Sequence, residues 1–333
     1  MSLKVEKAGL LTTVQDLGRY GFQKQGMVVS GAMDAYAFRL ANLLVGNAAT
    51  EAALEITLVG PSLLFQEDCL MALAGANLSP KLNGKSVPIH RPIFIRKGTL
   101  LEFGTPAQGC RAYLAVAGGF DVPLVMGSAA TYIRAAVGGW QGRALQKGAE
   151  LPFKGMPLAQ LQSWQQKSPA QEPFLVSKWG ISSELLPAYA ENPTVRVVPG
   201  PEYSLFSENV QETFWQSEFK VTNASDRMGY RVEGPALPLN KPEELLSSAV
   251  TFGTVQVPSH GNPIILMAEH QTTGGYPRLG QVIFADLPVL AQVRPGGSIR
   301  FRQVSLAEAH ELYYQQERTM EHLTRVLHLQ LKR

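Results

Sequence analysis

The chain has 333 residues, 45% of them hydrophobic and 17% charged, which supplies a large core and excludes a disordered or low-complexity protein. Lys and Arg number 30 against 27 Asp and Glu; a net charge of +3 with no clustered basic patch excludes nucleic acid as the expected partner. Two cysteines, Cys69 and Cys110, lie at no metal-binding spacing, Met1 to Leu11 holds no apolar leader, and no apolar window approaches the ~18 residues of a membrane span, so a soluble, reduced, cytoplasmic protein is expected.

In chain order, the first clear element is a helix. Asp34 is placed to cap it, Phe38, Leu40, Ala41, Leu44 and Val45 form its apolar stripe, and Gly46 is placed to end it. Arg39 and Asn42 fall on or near the edge of that stripe. Short apolar runs then follow, at Leu54 to Val59, Ser62 to Phe65, Cys69 to Ala74, Ile93 to Ile95, Leu100 to Phe103 and Tyr113 to Val116. Punctuated by Gly, Pro and Asn, they predict the strands of a sandwich or barrel. Asn83-Gly84 predicts a type I′ hairpin, because both turn positions tolerate positive φ. The adjoining Gly84-Lys85-Ser86 imitates the end of a phosphate-binding loop, but Ser79 stands where that motif needs its first glycine.

Between residues 151 and 192 the composition shifts toward Gln and Pro, which predicts a connection between an N-terminal lobe, 1–150, and a C-terminal lobe, 193–333. A second helix is predicted around Leu205 to Trp215. A third starts at Ser305, where Ser305 and Glu308 form a capping-box pair ahead of Leu312, Leu323, Val326 and Leu327. Arg96 to Phe103 and Arg294 to Phe301 echo each other, each a glycine turn feeding a strand, which points to two related β lobes. The fold class expected is therefore mainly β with a few helices.

Three segments carry more polar and glycine residues than a β scaffold needs. In the first, Gln15, Asp16 and Arg19 supply an amide, a carboxylate and a guanidinium, the last suited to bidentate anion binding, and Ser30 to Asp34 follow closely. In the second, Asp226, Arg227 and Gly229 repeat the pairing of acid, guanidinium and glycine. In the third, Gln256 and the run Glu269-His270-Gln271-Thr272-Thr273-Gly274-Gly275-Tyr276-Pro277 combine two hydroxyls, two glycines and a ring, which suits a small polar ligand. Asp16 and Glu269 are the candidate catalytic acids; Gln15, Arg19, Arg227, Gln256, Gln271, Thr272, Thr273, Gly274, Gly275 and Tyr276 are the candidate substrate-binding residues. No metal-ligand spacing, nucleophile elbow, dinucleotide fingerprint or biotin attachment site occurs.

Val14-Gln15-Asp16-Leu17-Gly18-Arg19, Ser30-Gly31-Ala32-Met33-Asp34, Asp226-Arg227-Met228-Gly229-Tyr230 and Gln271-Thr272-Thr273-Gly274-Gly275-Tyr276-Pro277 resemble, in the same order, the signature blocks of the KipA-like, carboxyltransferase-related family. That family includes C subunits of 5-oxoprolinase and the carboxyltransferase domain of urea carboxylase. The resemblance implies two cyclophilin-like β-barrel lobes, and a heteromeric, ATP-dependent hydrolase that opens the lactam of pyroglutamate to give glutamate. It implies a KipI-like B subunit and a LamB/YcsF-like A subunit as partners, with ATP used at the level of the complex and no covalently bound cofactor. It gives Arg19 to the substrate carboxylate and the Gly274 and Gly275 amides to a carbonyl or phosphoryl oxygen. The alternatives it carries are an antagonist of a KipI-like histidine-kinase inhibitor and a biotin-dependent urea or amide carboxyltransferase. This chain departs from the family pattern with Ala129 and Ala130 where a basic residue and Ser are common, and with Glu269 where Asp is commoner.

Overall fold

A computed structural model describes residues 1–241, 243 and 245–331. The chain packs into two compact units: the first holds Met1–Gly18, Asp34–Pro187 and the chain from Thr319, the second Arg19–Met33 and Ala188–Arg318.

Unit 1 contains β1 (Ser2–Lys7), β2 (Leu11–Gln15), α1 (Ala35–Leu44), β3 (Ala53–Thr57), β4 (Ser62–Phe65), β5 (Cys69–Asn77), β6 (Lys81–Leu82), β7 (Lys85–Ser86), β8 (Pro92–Ile95), β9 (Leu100–Glu102), β10 (Gln108–Val116), β11 (Glu150–Pro152), α2 (Leu158–Lys167) and β12 (Phe174–Val176). They form two six-stranded sheets, β11-β1-β4-β9-β6-β7 and β12-β8-β5-β10-β3-β2. Leu3, Val5, Leu63 and Leu101 of the first sheet share one apolar core with Leu54, Met71, Leu73, Ile93 and Leu114 of the second. The other face of the second sheet is covered by α1, where Phe38 meets Tyr113 edge-on at 6.1 Å between ring centroids. Burial on both faces is why Cys69–Ala74 of β5 and Ala112–Val116 of β10 read as unbroken apolar runs rather than alternating ones. Gly75 permits the close approach there: its φ is +86° and a Cβ would stand 2.6 Å from the Arg111 carbonyl oxygen.

Unit 2 contains β13 (Thr194–Pro199), α3 (Glu208–Gln216), β14 (Glu218–Val221), β15 (Gly229–Glu233), β16 (Ser248–Ala249), β17 (Thr254–Gln256), β18 (Ile264–Leu266), β19 (Thr273–Gly274), β20 (Arg278–Val282), α4 (Leu287–Ala291) and β21 (Ser298–Gln303). Seven of these strands close a barrel in the order β13-β20-β17-β18-β15-β14-β21, and β16 pairs separately with β19. Inward residues alternate along the strands, as in Phe219 and Val221 of β14 or Ile299 and Phe301 of β21. α3 lays Phe214 against Phe301 with ring centroids 4.5 Å apart. α5 (Leu306–Leu331) begins in unit 2 and ends in unit 1.

Local signals translate into local structure. The Asp34 carboxylate accepts from Ala37 N at 2.9 Å, and Ser305 Oγ accepts from Glu308 N at 3.1 Å. Asn83 and Gly84 take φ +47° and +78° in the β6–β7 hairpin, so Gly84-Lys85-Ser86 forms a turn and strand, not a phosphate cradle. The echo between lobes is physical: Gly98 N donates to Phe65 O and Gly296 N to Val221 O, each at 2.7 Å, as the glycine turn feeds β9 or β21. Two details depart from the expected stripes. Asn42 is fully buried, because its amide donates to Glu51 O and accepts from Asn47. Val326 is 45% exposed, because the α5 seam runs through Ala309, Met320, Leu323 and Leu327 at helical spacing and leaves Val326 beside it. The Gln- and Pro-rich stretch itself carries β11, α2 and β12.

His90, between β7 and β8, adopts φ +61° and is pushed down to about pKa 4 by desolvation. Its unfolded pKa lies near 6.5, so the unfolded chain binds the extra proton between those values and stability falls as pH drops through that window. The melting temperature of His90→Asn, a residue that tolerates positive φ, should therefore fall less than that of the parent chain between pH 6.5 and 4; parallel curves would remove His90 as the cause.

Candidate functional site

The polar residues of unit 2 converge on a buried ion pair. The turn at Asp226 is built by its own carboxylate, which accepts from Met228 N at 2.8 Å and Gly229 N at 3.2 Å, and this aims Arg227 inward. Arg227 Nε donates to Glu269 Oε1 at 2.6 Å, and its Nη2 donates to the Gly31 carbonyl at 2.6 Å. Ser30 Oγ stands 3.5 Å from the same Glu269 oxygen. Glu269 N in turn donates to Arg227 O at 2.7 Å, so backbone and side chains lock the two loops together. Ser30 and Gly31 reach this position with φ +58° and +89°. Arg227 and Glu269 are each about 5% exposed, so both charges have left water and depend on each other.

The threonine-glycine loop is a small hairpin beside this pair. β19 pairs with β16 through Ser248 opposite Gly274 and Ala249 opposite Thr273. Val250 N donates to Thr272 O at 3.2 Å, and that parity turns the Gly274 amide toward Ser248, inside the ladder and not toward open space. The expectation that this amide faces a ligand oxygen is thus met by a sheet hydrogen bond instead. Beneath Gly274 lies the buried Gln256 side chain: a Cβ at Gly274 would stand 2.6 Å from Gln256 Nε2. Gln256 Nε2 also donates to Tyr276 O at 3.4 Å. Gly275 passes close to Leu245 O and Ser247, which a Cβ would meet at 3.2 and 3.4 Å. Gln271 and Thr272 are half-buried, Thr273 is exposed, and the Tyr276 ring is 51% exposed. His270 is buried with Nδ1 against Gln271 O at 2.6 Å; desolvation lowers its pKa, offset in part by that carbonyl.

The base of this hairpin is held by two residues that sequence reasoning passed over. Arg278 grips Glu202 through Nε at 2.8 Å and Nη2 at 2.6 Å, and its Nη1 donates to Ala249 O at 3.2 Å. The Arg278 side-chain hydrogen bonds hold Glu202 below the ordinary carboxylate range. Arg278 follows the Tyr276-Pro277 signal directly, but nothing local marks Glu202, 76 positions earlier, as its partner.

Arg19 belongs to unit 2 as well, fully buried, with its backbone N donating to Val29 O at 2.8 Å. Gln15 and Asp16 lie in unit 1, at the end of β2 and just after it. Asp16 Oδ1 accepts from Gly18 N and Ser128 Oγ, both at 2.8 Å, and Oδ2 from Ala129 N at 2.6 Å. A carboxylate with three donors already in place works as a staple for the 128–131 loop, whatever else it meets. Gln15 Nε2 donates to Thr13 Oγ1 at 3.0 Å and to Thr131 O at 3.2 Å. Within unit 2, then, the structure joins Arg227 to Glu269 and Gln256 to Gly274 and Tyr276; within unit 1 it joins Gln15 and Asp16 to the loop at Ser128. Ser30, Ser128 and Ala129 are partners that the sequence motifs bracketed without giving them this role. Among the described residues no group of three or more His, Cys, Asp or Glu side chains is arranged to hold a metal ion.

Two pairs of variants, each a single and a double, separate these contacts. Arg227→Met leaves Glu269 buried without its partner and should cost about 3–5 kcal/mol of unfolding free energy, whereas Arg227→Met with Glu269→Leu should recover much of it; equal losses in single and double variants would mean the pair is not coupled. Gly274→Ala should displace the Gln256 amide at a cost of about 1–3 kcal/mol, relieved by Gln256→Ala in the same chain, which denaturant unfolding measures.

Comparison with known proteins places this architecture. Residues 25–303 match the carboxyltransferase domain family, subdomain A and B. The chain is 41% identical to the 5-oxoprolinase C subunit of Escherichia coli strain K12 over 328 residues, 98% of this chain and 99% of that protein. It is 40% identical to the 5-oxoprolinase C subunit of Haemophilus influenzae, over 95% of each chain. Among solved structures, the urea carboxylase of Kluyveromyces lactis superposes with a TM-score of 0.87 at 31% identity, covering 97% of this chain and 29% of that longer one. A mainly β fold with a closed barrel, a family match over most of its length and two near-full-length relatives leave one assignment: this chain belongs to the carboxyltransferase domain family, subdomain A and B.

Proposed function

We propose that this chain is the C subunit of an ATP-dependent 5-oxoprolinase, acting with a KipI-like B subunit and a LamB/YcsF-like A subunit to hydrolyse pyroglutamate to glutamate. The observation that carries this reading is the 41% identity to a 5-oxoprolinase C subunit across 98% of this chain and 99% of that protein. The urea carboxylase likeness, by contrast, is to one part of a much longer chain.

Pyroglutamate is a cyclic amide, and its resonance resists attack by water. Transfer of the γ-phosphoryl group of ATP to the lactam oxygen, with ADP leaving, makes the carbonyl carbon electrophilic; one water adds and the ring C–N bond breaks to give the free amine and an acyl phosphate, and a second water hydrolyses that acyl phosphate to glutamate and phosphate. In this chain, Gly84-Lys85-Ser86 folds as a hairpin turn and strand, so no phosphate step is assigned to it; the proposal gives ATP to the complex. What this chain's residues supply is recognition. The Gln256 carboxamide, buried beneath Gly274 with Nε2 on Tyr276 O, supports the hairpin from below and holds its shape for a ligand. The exposed ring of Tyr276 and the hydroxyl of Thr273 stand on the hairpin above it. Arg227 and Glu269 hold the loops that carry these groups and act as positioning residues. Asp16 and Glu269 remain the acids nearest the signature motifs, and Arg19 the guanidinium assigned to the substrate carboxylate.

Reconstitution tests this directly. With A and B subunits present, pyroglutamate-dependent ATP hydrolysis should appear on adding this chain and vanish on omitting it; activity that persists without it would overturn the proposal. If transfer of a carboxyl group from carboxybiotin to an amide appeared instead, the family's carboxyltransferase chemistry would take its place.

A further inference from the structure

β12 is the last strand of its sheet, and its free edge borders a hollow with a chemistry of its own. Pro173 O accepts from Arg96 N at 2.9 Å and Ser177 N donates to Pro92 O at 3.0 Å. With Leu175 opposite Phe94 in the register, residues 173, 175 and 177 hydrogen-bond toward β8. The N–H and C=O groups of Phe174 and Val176 therefore point away from the sheet, and no other backbone bond to either is present among the described residues. Their side chains pack on the core of unit 1, so the strand is held in place from one face while its edge stays open.

The hollow alongside has a volume of about 860 Å³ and is walled by β12, by α2 and by the end of α5. Leu175, Trp164 and Trp179 give it apolar surface; Lys167, Lys178 and His328 give it basic groups, and no carboxylate lines it among the described residues. Lys167 Nζ sits 5.8 Å from the Trp164 ring centroid, which keeps a cation beside the apolar wall.

We propose that this edge accepts an added strand: an extended, carboxylate-bearing segment of a partner subunit, hydrogen-bonded to Phe174 and Val176 with its acidic side chains against Lys167 and Lys178. Strand addition satisfies a row of outward backbone groups that a compact ligand leaves unmet. The charge selects the occupant. A second copy of this chain would bring the same lysines to the same edge, whereas an acidic segment complements them. The inference rests on the proposed function only in requiring that the chain work in a heteromeric complex.

Hydrogen exchange on the full chain, alone and with the A and B subunits, provides the test. The Phe174 and Val176 amides should exchange rapidly in the isolated chain and become protected in the complex. Val176→Pro removes an outward donor and leaves the β8 ladder intact, and the double variant Lys167→Glu, Lys178→Glu reverses the charge. Each should weaken assembly by about tenfold or more, and the charge-reversed variant, whose lysines lie outside the core, should leave the melting temperature of the isolated chain nearly unchanged. A complex that forms without protection at these amides, and as tightly with both variants, overturns the surface and leaves the proposed function standing. Protection that arises from self-association of the isolated chain overturns it too. A protected edge in a complex that lacks pyroglutamate-dependent ATP hydrolysis upholds the surface and removes the proposed function; absence of any assembly removes both.

Discussion

The Arg227–Glu269 pair is the constraint on which the polar half of unit 2 depends. Two charges in a nearly water-free place gain little net stability from each other, since desolvation offsets most of the attraction. What they gain is position. Arg227 Nη2 spans to the Gly31 carbonyl, which lies 196 residues away along the chain, and Nε fixes the start of the segment that leads into the threonine-glycine hairpin. The same pair therefore sets both the excursion of residues 19–33 and the approach to Gly274. Replacing Arg227 alone leaves the Glu269 carboxylate buried without its guanidinium.

Close backbone approach is the second constraint. Gly274 rests on the Gln256 carboxamide, and Gly275 on the Leu245 carbonyl, at distances that leave no room for a Cβ without displacement. A hairpin pressed onto an amide side chain in this way needs an external hold, which the Arg278–Glu202 pair provides from the neighbouring strand. Glycine here marks packing against the site's floor more than it marks freedom of φ. In unit 1, the Asp16 carboxylate plays a comparable part, gathering Gly18, Ser128 and Ala129 around one side chain.

The family unites proteins of different activity, a 5-oxoprolinase component and a urea carboxylase, on one scaffold. A fold shared at a TM-score of 0.87 cannot by itself choose between them; the identity is higher to the 5-oxoprolinase C subunits, 41% and 40%, than to the urea carboxylase, 31%. The features described above, a carboxamide under a hairpin and loops fixed by a buried ion pair, hold the signature segments in place.

The sequence by itself determined the mainly β character, the family, the strand runs between Leu54 and Val116 and the helices α1, α3 and α5. The Asp34 cap, the Asn83-Gly84 turn, the Ser305 cap and the two glycine turns before β9 and β21 were legible because each depends on φ preferences or hydrogen bonds between residues a few positions apart. α2 was not, since a helix of Gln, Ser and Lys with little apolar stripe reads as a connection until packing is known. The motifs bracketed these polar residues but not their contacts. That Arg227 pairs with Glu269, that Asp16 staples the Ser128 loop, that Glu202 serves Arg278 and that the Gly274 amide faces Ser248 are matters of register and of contacts tens to hundreds of residues apart. Only the tertiary structure decides these, because a buried charge or a ladder amide takes whichever partner the completed fold brings within reach, and no neighbour in the sequence records which one that is.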